Sequence, residues 1–261
     1  MSDTIRIAAL ISGGGTNLQA IMDACESAAI DAEMLFVGSD NPAAKGLERA
    51  EKHHIPHFVA DYKKIIRDFR DKPRENALPA DFDIQDMRHK QSFFSGDADP
   101  EKTDFFLKSR AIAEAALLER MKDYDFDLLV LAGFMRNLSP YFIDRVNTDP
   151  HLPRIMNIHP ALLPAFPGTD GYGDTFRYGC KIGGCTVHFI DYGEDSGPII
   201  GQRSFAITAE DTLDTVKEKG LREEWILYPE CIQLFAEKRL EIITRKDSRQ
   251  KERRIVKIRA K

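Results

Sequence analysis

Arg6-Ile7-Ala8-Ala9-Leu10-Ile11, followed by Ser12-Gly13-Gly14-Gly15-Thr16-Asn17, decides the fold class of this chain. The first six residues are a short apolar run that breaks into glycines, after which Leu18, Ile21, Met22 and Cys25 recur at helical spacing. Strand, glycine turn and helix in this order open a parallel α/β fold. The turn also suits an anion, because glycines let the backbone approach closely and N–H groups at a helix start point at a ligand. Thr16 or Asn17 is expected as the N-cap. Neither G-x-G-x-x-G nor G-x-x-x-x-G-K is present, so a single phosphate fits better than a dinucleotide or a nucleoside triphosphate. A plain tight turn between strand and helix is the competing reading.

Working outward, Met34 to Val37 reads as a second strand and Ser39-Asp40-Asn41-Pro42 as a turn. Ala43 to His53 reads as a helix and Ile55 to Val59 as a third strand. Leu128 to Ala132 is a continuous apolar run, as expected of a parallel strand buried on both faces. It ends at Gly133-Phe134-Met135-Arg136, which belongs on the same rim as the glycine loop, because ligands in open α/β sheets bind beyond the carboxyl ends of the strands. Arg154 to Ile158 and Gly184 to Ile190 supply further strands, the latter with Thr186, His188 and Ile190 on one face. The expected architecture is a Rossmann-like, mostly parallel sheet flanked by helices. Between Tyr62 and Lys108 the pattern degrades into a charge-rich stretch with Pro73, Pro79, Pro100 and the turn-like Phe94-Ser95-Gly96-Asp97. This reads as an insertion (62–108) forming helices or a loop over one edge, as a lid or subunit contact. Residues 244–261 are set apart as a basic tail, carrying Arg245-Lys246, Lys251-Glu252-Arg253-Arg254, Lys257, Arg259 and Lys261. Within it, Ile255-Val256-Lys257-Ile258 is expected to add an edge strand.

With 43% hydrophobic and 30% charged residues, the composition is that of a soluble globular protein. A formal net charge of −5 argues against broad nucleic-acid binding. No apolar run is long enough to span a bilayer, and no signal-type stretch precedes the first strand, so a cytoplasmic protein is expected. Cys25, Cys180, Cys185 and Cys231 form no C-x-x-C pair and no zinc spacing. They read as reduced thiols without an activating context, and no metal is expected.

Asn157-Ile158-His159-Pro160-Ala161-Leu162-Leu163-Pro164 carries the chemistry. Two residues apart on an extended segment, Asn157 and His159 leave the same face. Pro160, Pro164 and Pro167 then hold the chain open as a rim. A neutral donor beside a titratable one suits an oxygen that gains negative charge in acyl transfer. The competing reading is a satisfied histidine at a strand end.

Several segments together resemble the folate-dependent phosphoribosylglycinamide formyltransferases. They are Ile11 to Ile21, Gly46-Leu47-Glu48-Arg49-Ala50, Leu131 to Arg136, the Asn157 to Pro164 run, Thr186-Val187-His188-Phe189 and Asp195-Ser196-Gly197-Pro198-Ile199-Ile200. The resemblance implies a formyltransferase catalytic domain over 1–243. It also implies formyl transfer from 10-formyltetrahydrofolate to the amine of glycinamide ribonucleotide in purine synthesis. By the same resemblance Gly14, Gly15, Thr16 and Asn17 hold the substrate phosphate, and Glu224 is the acidic substrate-binding residue. Met135, Arg136, Asn137 and Leu138 line the folate pocket together with Asn157, Asp191 and Asp195, and Arg110 meets the folate glutamate. His159 acts as general acid and Asn157 as a second oxyanion donor. A carboxylate close to an imidazole favours its charged form, and Asp195 is the candidate, with turn formation as its alternative role. His188 reads as a structural histidine that shapes the site. The implied partners are small molecules, with neither nucleic acid nor membrane, and a homodimer stays open.

One segment departs from the family. Thr169 to Gly179, rich in glycine and tyrosine, replaces a histidine-containing segment and is expected to be a different loop near the site. The nearest alternative activity is formyltetrahydrofolate hydrolysis, which is disfavoured because hydrolases carry a regulatory domain before the first strand and have no use for a phosphate loop. A methionyl-tRNA formyltransferase needs an RNA-binding domain larger than the basic tail. A non-catalytic nucleotide-binding module conflicts with the intact Asn157, His159 and Asp195.

Overall fold

Ile5–Ile11 forms β1 at the centre of a seven-stranded sheet and is buried on both faces. Its alternate residues serve two cores: Ile7, Ala9 and Ile11 pack on one side, Ala8 and Leu10 on the other. That double burial is why the strand is a run of apolar residues instead of an alternating pattern. The computed structural model describes residues 4–72, 78–94, 98–149, 151–246 and 252–260. Pro73 and Ser95 to Asp97 of the expected insertion, and Lys251 and Lys261 of the tail, lie outside them.

After β1 come α1 (Thr16–Glu26), β2 (Ala32–Ser39), α2 (Gly46–Lys52) and β3 (His57–Val59). Next are α3 (Tyr62–Asp71), α4 (Ile84–Lys90), α5 (Pro100–Met121), β4 (Leu128–Leu131), α6 (Pro140–Val146) and β5 (Ile155–His159). The chain continues through α7 (Gly171–Tyr178), β6 (Ile182–Phe189), β7 (Ile199–Ala206), α8 (Leu213–Ala236), β8 (Leu240–Lys246) and β9 (Glu252–Ile258). The sheet order is β3-β2-β1-β4-β5-β6-β7. Neighbours from β3 to β5 pair in parallel, and β6 and β7 are added antiparallel. Strand order reverses between β1 and β4, which makes their carboxyl ends the topological switch point.

Three expectations are corrected. The N-cap of α1 is neither Thr16 nor Asn17 but Gly15, whose φ of 71° is left-handed. Thr169 to Gly179 is not a loop for most of its length, because Gly171–Tyr178 is helical and Gly179 closes the helix at φ 82°. Residues 255–258 do not extend the main sheet. β9 pairs with β8 in a separate two-stranded sheet, and the expected boundary at 243/244 falls inside β8. Ile242 and Val256 anchor this hairpin on the core, so burial keeps the basic stretch against the body of the molecule.

In the 62–108 stretch the helical alternative forms. Asp61, Asp83 and Asp99 each accept backbone N–H bonds at the starts of α3, α4 and α5, and Pro100 occupies the first turn of α5. Tyr62 on α3 and Leu117 and Met121 on α5 then cover the second face of the sheet with Phe142 of α6.

Candidate active site

The loops that follow β1, β2 and β4 are tied together at the switch point. Ser12 N donates to the Gly133 carbonyl at 3.1 Å, and Met135 N donates to Ser12 Oγ at 2.8 Å. Asp40, 1% exposed at the end of β2, accepts from Ser12 Oγ at 2.5 Å and from Arg136 Nε at 2.5 Å. The Arg136 charge offsets the cost of burying the Asp40 carboxylate. This network fixes the segment Met135 to Leu138 relative to the glycine loop.

The glycine loop has a definite polarity. The Gly13 carbonyl accepts from Gly46 N at 3.0 Å, and the Gly14 carbonyl accepts from Arg49 Nε at 2.9 Å. In a trans peptide the N–H points opposite to the C=O, so the amides of Gly14 and Gly15 face away from α2. Packing alone demands glycine at Gly15, where a Cβ would lie 2.8 Å from Gly46 Cα. At Gly13 and Gly14 a Cβ would meet open space.

A cleft of about 220 Å³ opens beside these loops. It is lined by Asn17, Met135 to Leu138, Asn157, His159, Asp191, Asp195 and Glu224, together with Phe93, Gly168, Thr169 and Glu194. At its floor His159, 2% exposed, has Nδ1 at 3.1 Å from Asp195 Oδ2 and Nε2 at 2.8 Å from the Phe166 carbonyl. Both partners are acceptors, so a doubly protonated ring satisfies both at once. Asp195 sits in left-handed backbone, φ 50°, and also accepts from Gly168 N at 2.8 Å. Its turn role and its contact with His159 therefore coexist.

Asn157 lies directly opposite His188 in the antiparallel β5–β6 register. Nδ1 of the buried His188 donates to the Phe189 carbonyl at 2.9 Å, which leaves Nε2 to accept from Asn157 Nδ2 at 3.2 Å. Burial pushes the His188 pKa down, against the pull of Asp195, whose Oδ1 is 3.7 Å away. A neutral His188 thus sets the orientation of the Asn157 amide, and one of its two N–H groups is not used by that contact. Glu224, which also lines the cleft, is 4% exposed and accepts from Asn17 Nδ2 at 2.6 Å. Its second oxygen accepts from Tyr172 OH, also at 2.6 Å. Burial holds the Glu224 carboxyl above its ordinary range, and these two hydrogen bonds oppose that rise.

Residues 5–232 match the family model described as Formyl transferase. Phosphoribosylglycinamide formyltransferase of Bacillus subtilis is 32% identical over 228 residues, covering 87% of this chain and 93% of that protein. The Haemophilus influenzae enzyme of the same name is 34% identical over 237 residues, covering 91% and 90%. The chain belongs to the phosphoribosylglycinamide formyltransferase family. In structure it is similar to glycinamide ribonucleotide transformylase 1 from Symbiobacterium toebii, with TM-score 0.70 and 35% identity over 100% of this chain and 96% of that one. The Rossmann-like, mostly parallel sheet is shared with that structure.

Within this formyltransferase-family chain, most of the expected site residues converge on the cleft, but Arg110 does not. It lies on α5, 8% exposed, over the rings of Tyr62 and Phe106, and does not line the cleft. Burial lowers its pKa, and its Nε and Nη1 have no partner among the described residues. Gly14, Gly15 and Thr16 lie at the adjoining rim and not in the cleft wall. Asp191 lines the cleft while its carboxylate accepts from Gly193 N at 3.1 Å and Ser196 Oγ at 2.6 Å, which shapes the loop before β7. Sequence reasoning missed Tyr172 and Asp40. Asp40 had a usable signal, since it ends a parallel strand at the rim. Tyr172 had none, because its partner is 52 residues away.

Proposed function

We propose that this protein transfers the formyl group of 10-formyltetrahydrofolate to the amine of N1-(5-phosphoribosyl)glycinamide. The products are the N-formyl compound and tetrahydrofolate, in the de novo route to IMP. The observation that carries this reading is the convergence of Asn157, His159 and Asp195 on a cleft that Met135 to Leu138, Asn17 and Glu224 also line.

The substrate amine attacks the formyl carbon, and the carbonyl oxygen becomes a tetrahedral oxyanion. The free N–H of Asn157 and the His159 imidazole stabilise that charge. On collapse the bond to folate N10 breaks and the new C–N bond remains. N10 takes up one proton, for which His159 is the donor, and the attacking amine loses one, for which Asp195 is the acceptor through water. The hydrogen bond from Nε2 to the Phe166 carbonyl holds the ring until substrate replaces it. No step calls for a metal.

The amides of Gly14 and Gly15, with Thr16 and Asn17 at the start of α1, receive the phosphate, in the space that a Cβ on Gly14 would occupy. Glu224 takes hydrogen-bond donors of the ribonucleotide. Met135, Arg136, Asn137 and Leu138 border the folate together with the Asp191 to Asp195 loop. Arg110 is left out of the binding set, given its burial behind Phe106. The test follows folate deformylation with and without the glycinamide ribonucleotide. Loss of the formyl group only when the amine is present is expected; equal rates in both conditions overturn the transferase reading in favour of a hydrolase.

A further inference from the structure

Two glycines and a tyrosine bring a phenol to the back of the cleft. A Cβ on Gly171 would lie 2.6 Å from the Pro160 carbonyl oxygen, so α7 rests directly on the residue that follows His159. A Cβ on Gly173 would lie 2.1 Å from Asp170 Oδ2. Between them Tyr172 is 5% exposed and turns toward α8, where Gly220 leaves a notch. A Cβ on Gly220 would stand 2.1 Å from the ring Cζ. Glycine inside a helix is a poor choice beside alanine, and here the tyrosine ring fills the missing side chain's place. Gly220 and Glu224 are one helical turn apart on the same face. A ring seated at Gly220 therefore carries its hydroxyl to the Glu224 carboxylate. The phenol pKa is driven far above its ordinary range by burial, so the hydroxyl stays a donor.

We propose that Tyr172, seated in the Gly220 notch, is a positioning residue that fixes Glu224 as an acceptor for the hydrogen-bond donors of the ribonucleotide substrate. The other Glu224 oxygen is held by Asn17, whose own Oδ1 is buried with no partner among the described residues. Both side chains line the cleft, so two acceptors are held side by side, and each carboxylate oxygen keeps a lone pair for substrate. The proposal rests on Glu224 contacting the ribonucleotide.

The test is steady-state kinetics on the full chain carrying Tyr172→Phe, Gly220→Ala or Glu224→Gln. Loss of a hydrogen bond to a charged group predicts about a tenfold rise in KM for the ribonucleotide in Tyr172→Phe, with KM for the folate unchanged. Without the phenol donor the carboxyl binds its proton more tightly, so the acid limb of kcat/KM for the ribonucleotide moves to higher pH. Gly220→Ala is expected to reproduce both changes by displacing the ring. A Tyr172→Phe enzyme with wild-type KM and pH profile overturns the proposal, even if its Tm falls. Glu224→Gln separates the two levels. If it leaves the ribonucleotide KM unchanged, the substrate contact itself fails. If it raises that KM while Tyr172→Phe does not, only the positioning role fails.

Discussion

The glycine loop at residues 12–17 and the glycine–tyrosine segment at 169–179 are both glycine-rich approaches to a helix, yet their glycines do different work. In the first, Gly15 supplies a left-handed N-cap, and Gly13 and Gly14 leave open space where a ligand can approach the backbone. In the second, Gly171 and Gly173 are small because protein atoms already occupy the adjoining space, and Gly220 completes the arrangement from another helix. The first pattern is local, and the turn can be read from consecutive residues. The second is set by neighbours far along the chain, so the same composition does not by itself distinguish a helix from a loop.

The largest effect is expected at His159, which Asp195 holds on one side and Phe166 on the other. His159→Ala and Asp195→Ala should each lower kcat by about 10²- to 10⁴-fold while the fold persists. Single-turnover formyl transfer measures this, and near-normal turnover in either variant removes that residue from the mechanism.

Alanine substitution separates the two kinds of glycine. Gly171→Ala forces a methyl against the Pro160 carbonyl and should cost about 1–3 kcal/mol of stability. Gly15→Ala should cost about 1–2 kcal/mol through its left-handed φ, in addition to its contact with Gly46. Gly14→Ala should change stability by less than about 0.5 kcal/mol and yet raise KM for the ribonucleotide. Denaturant unfolding with steady-state kinetics reads all three. A destabilised Gly14→Ala with unchanged KM would assign that glycine to packing and erase the contrast.

A smaller effect on activity, visible in stability, lies behind the cleft at Glu114. This fully buried carboxyl accepts from Ser139 N at 2.7 Å and from the Ser139 hydroxyl, and burial pushes its pKa up from 4.5 to about 8. Between those values the folded chain keeps a proton that the unfolded chain has lost, so this group's contribution to stability falls as pH rises. Unfolding free energy is expected to drop by roughly 3 kcal/mol from about pH 5 to about pH 8. Glu114→Gln should flatten that slope; an unaltered slope would place the titration elsewhere.

Most of the sheet was legible because its signals are short in range. β1, β4 and β5 announce themselves as apolar runs ending at turn residues, and their carboxyl ends gave the rim. Asn157 and His159 were legible for the same reason, as alternate residues of one strand end. Asp195 came from a resemblance and not from spacing, since 36 residues separate it from His159 in sequence while 3.1 Å separates them in space. Arg110 shows the reverse failure. The family resemblance implied a ligand contact, but α5 places its guanidinium over the rings of Tyr62 and Phe106. The basic end of the chain misled in a similar way, because β8 and β9 pair with each other instead of with β7.

The sequence by itself therefore determined the parallel α/β class, the glycine turn between β1 and α1 and the Asn–His strand end, each of which depends on backbone geometry over a few consecutive residues. Tertiary structure alone decided that Tyr172 reaches Glu224, that His188 meets Asn157, that Asp40 ties three loops together and that Arg110 is buried away from the cleft lining. Those contacts join residues from different elements, and only the packing of helices on the sheet brings such side chains within hydrogen-bond distance.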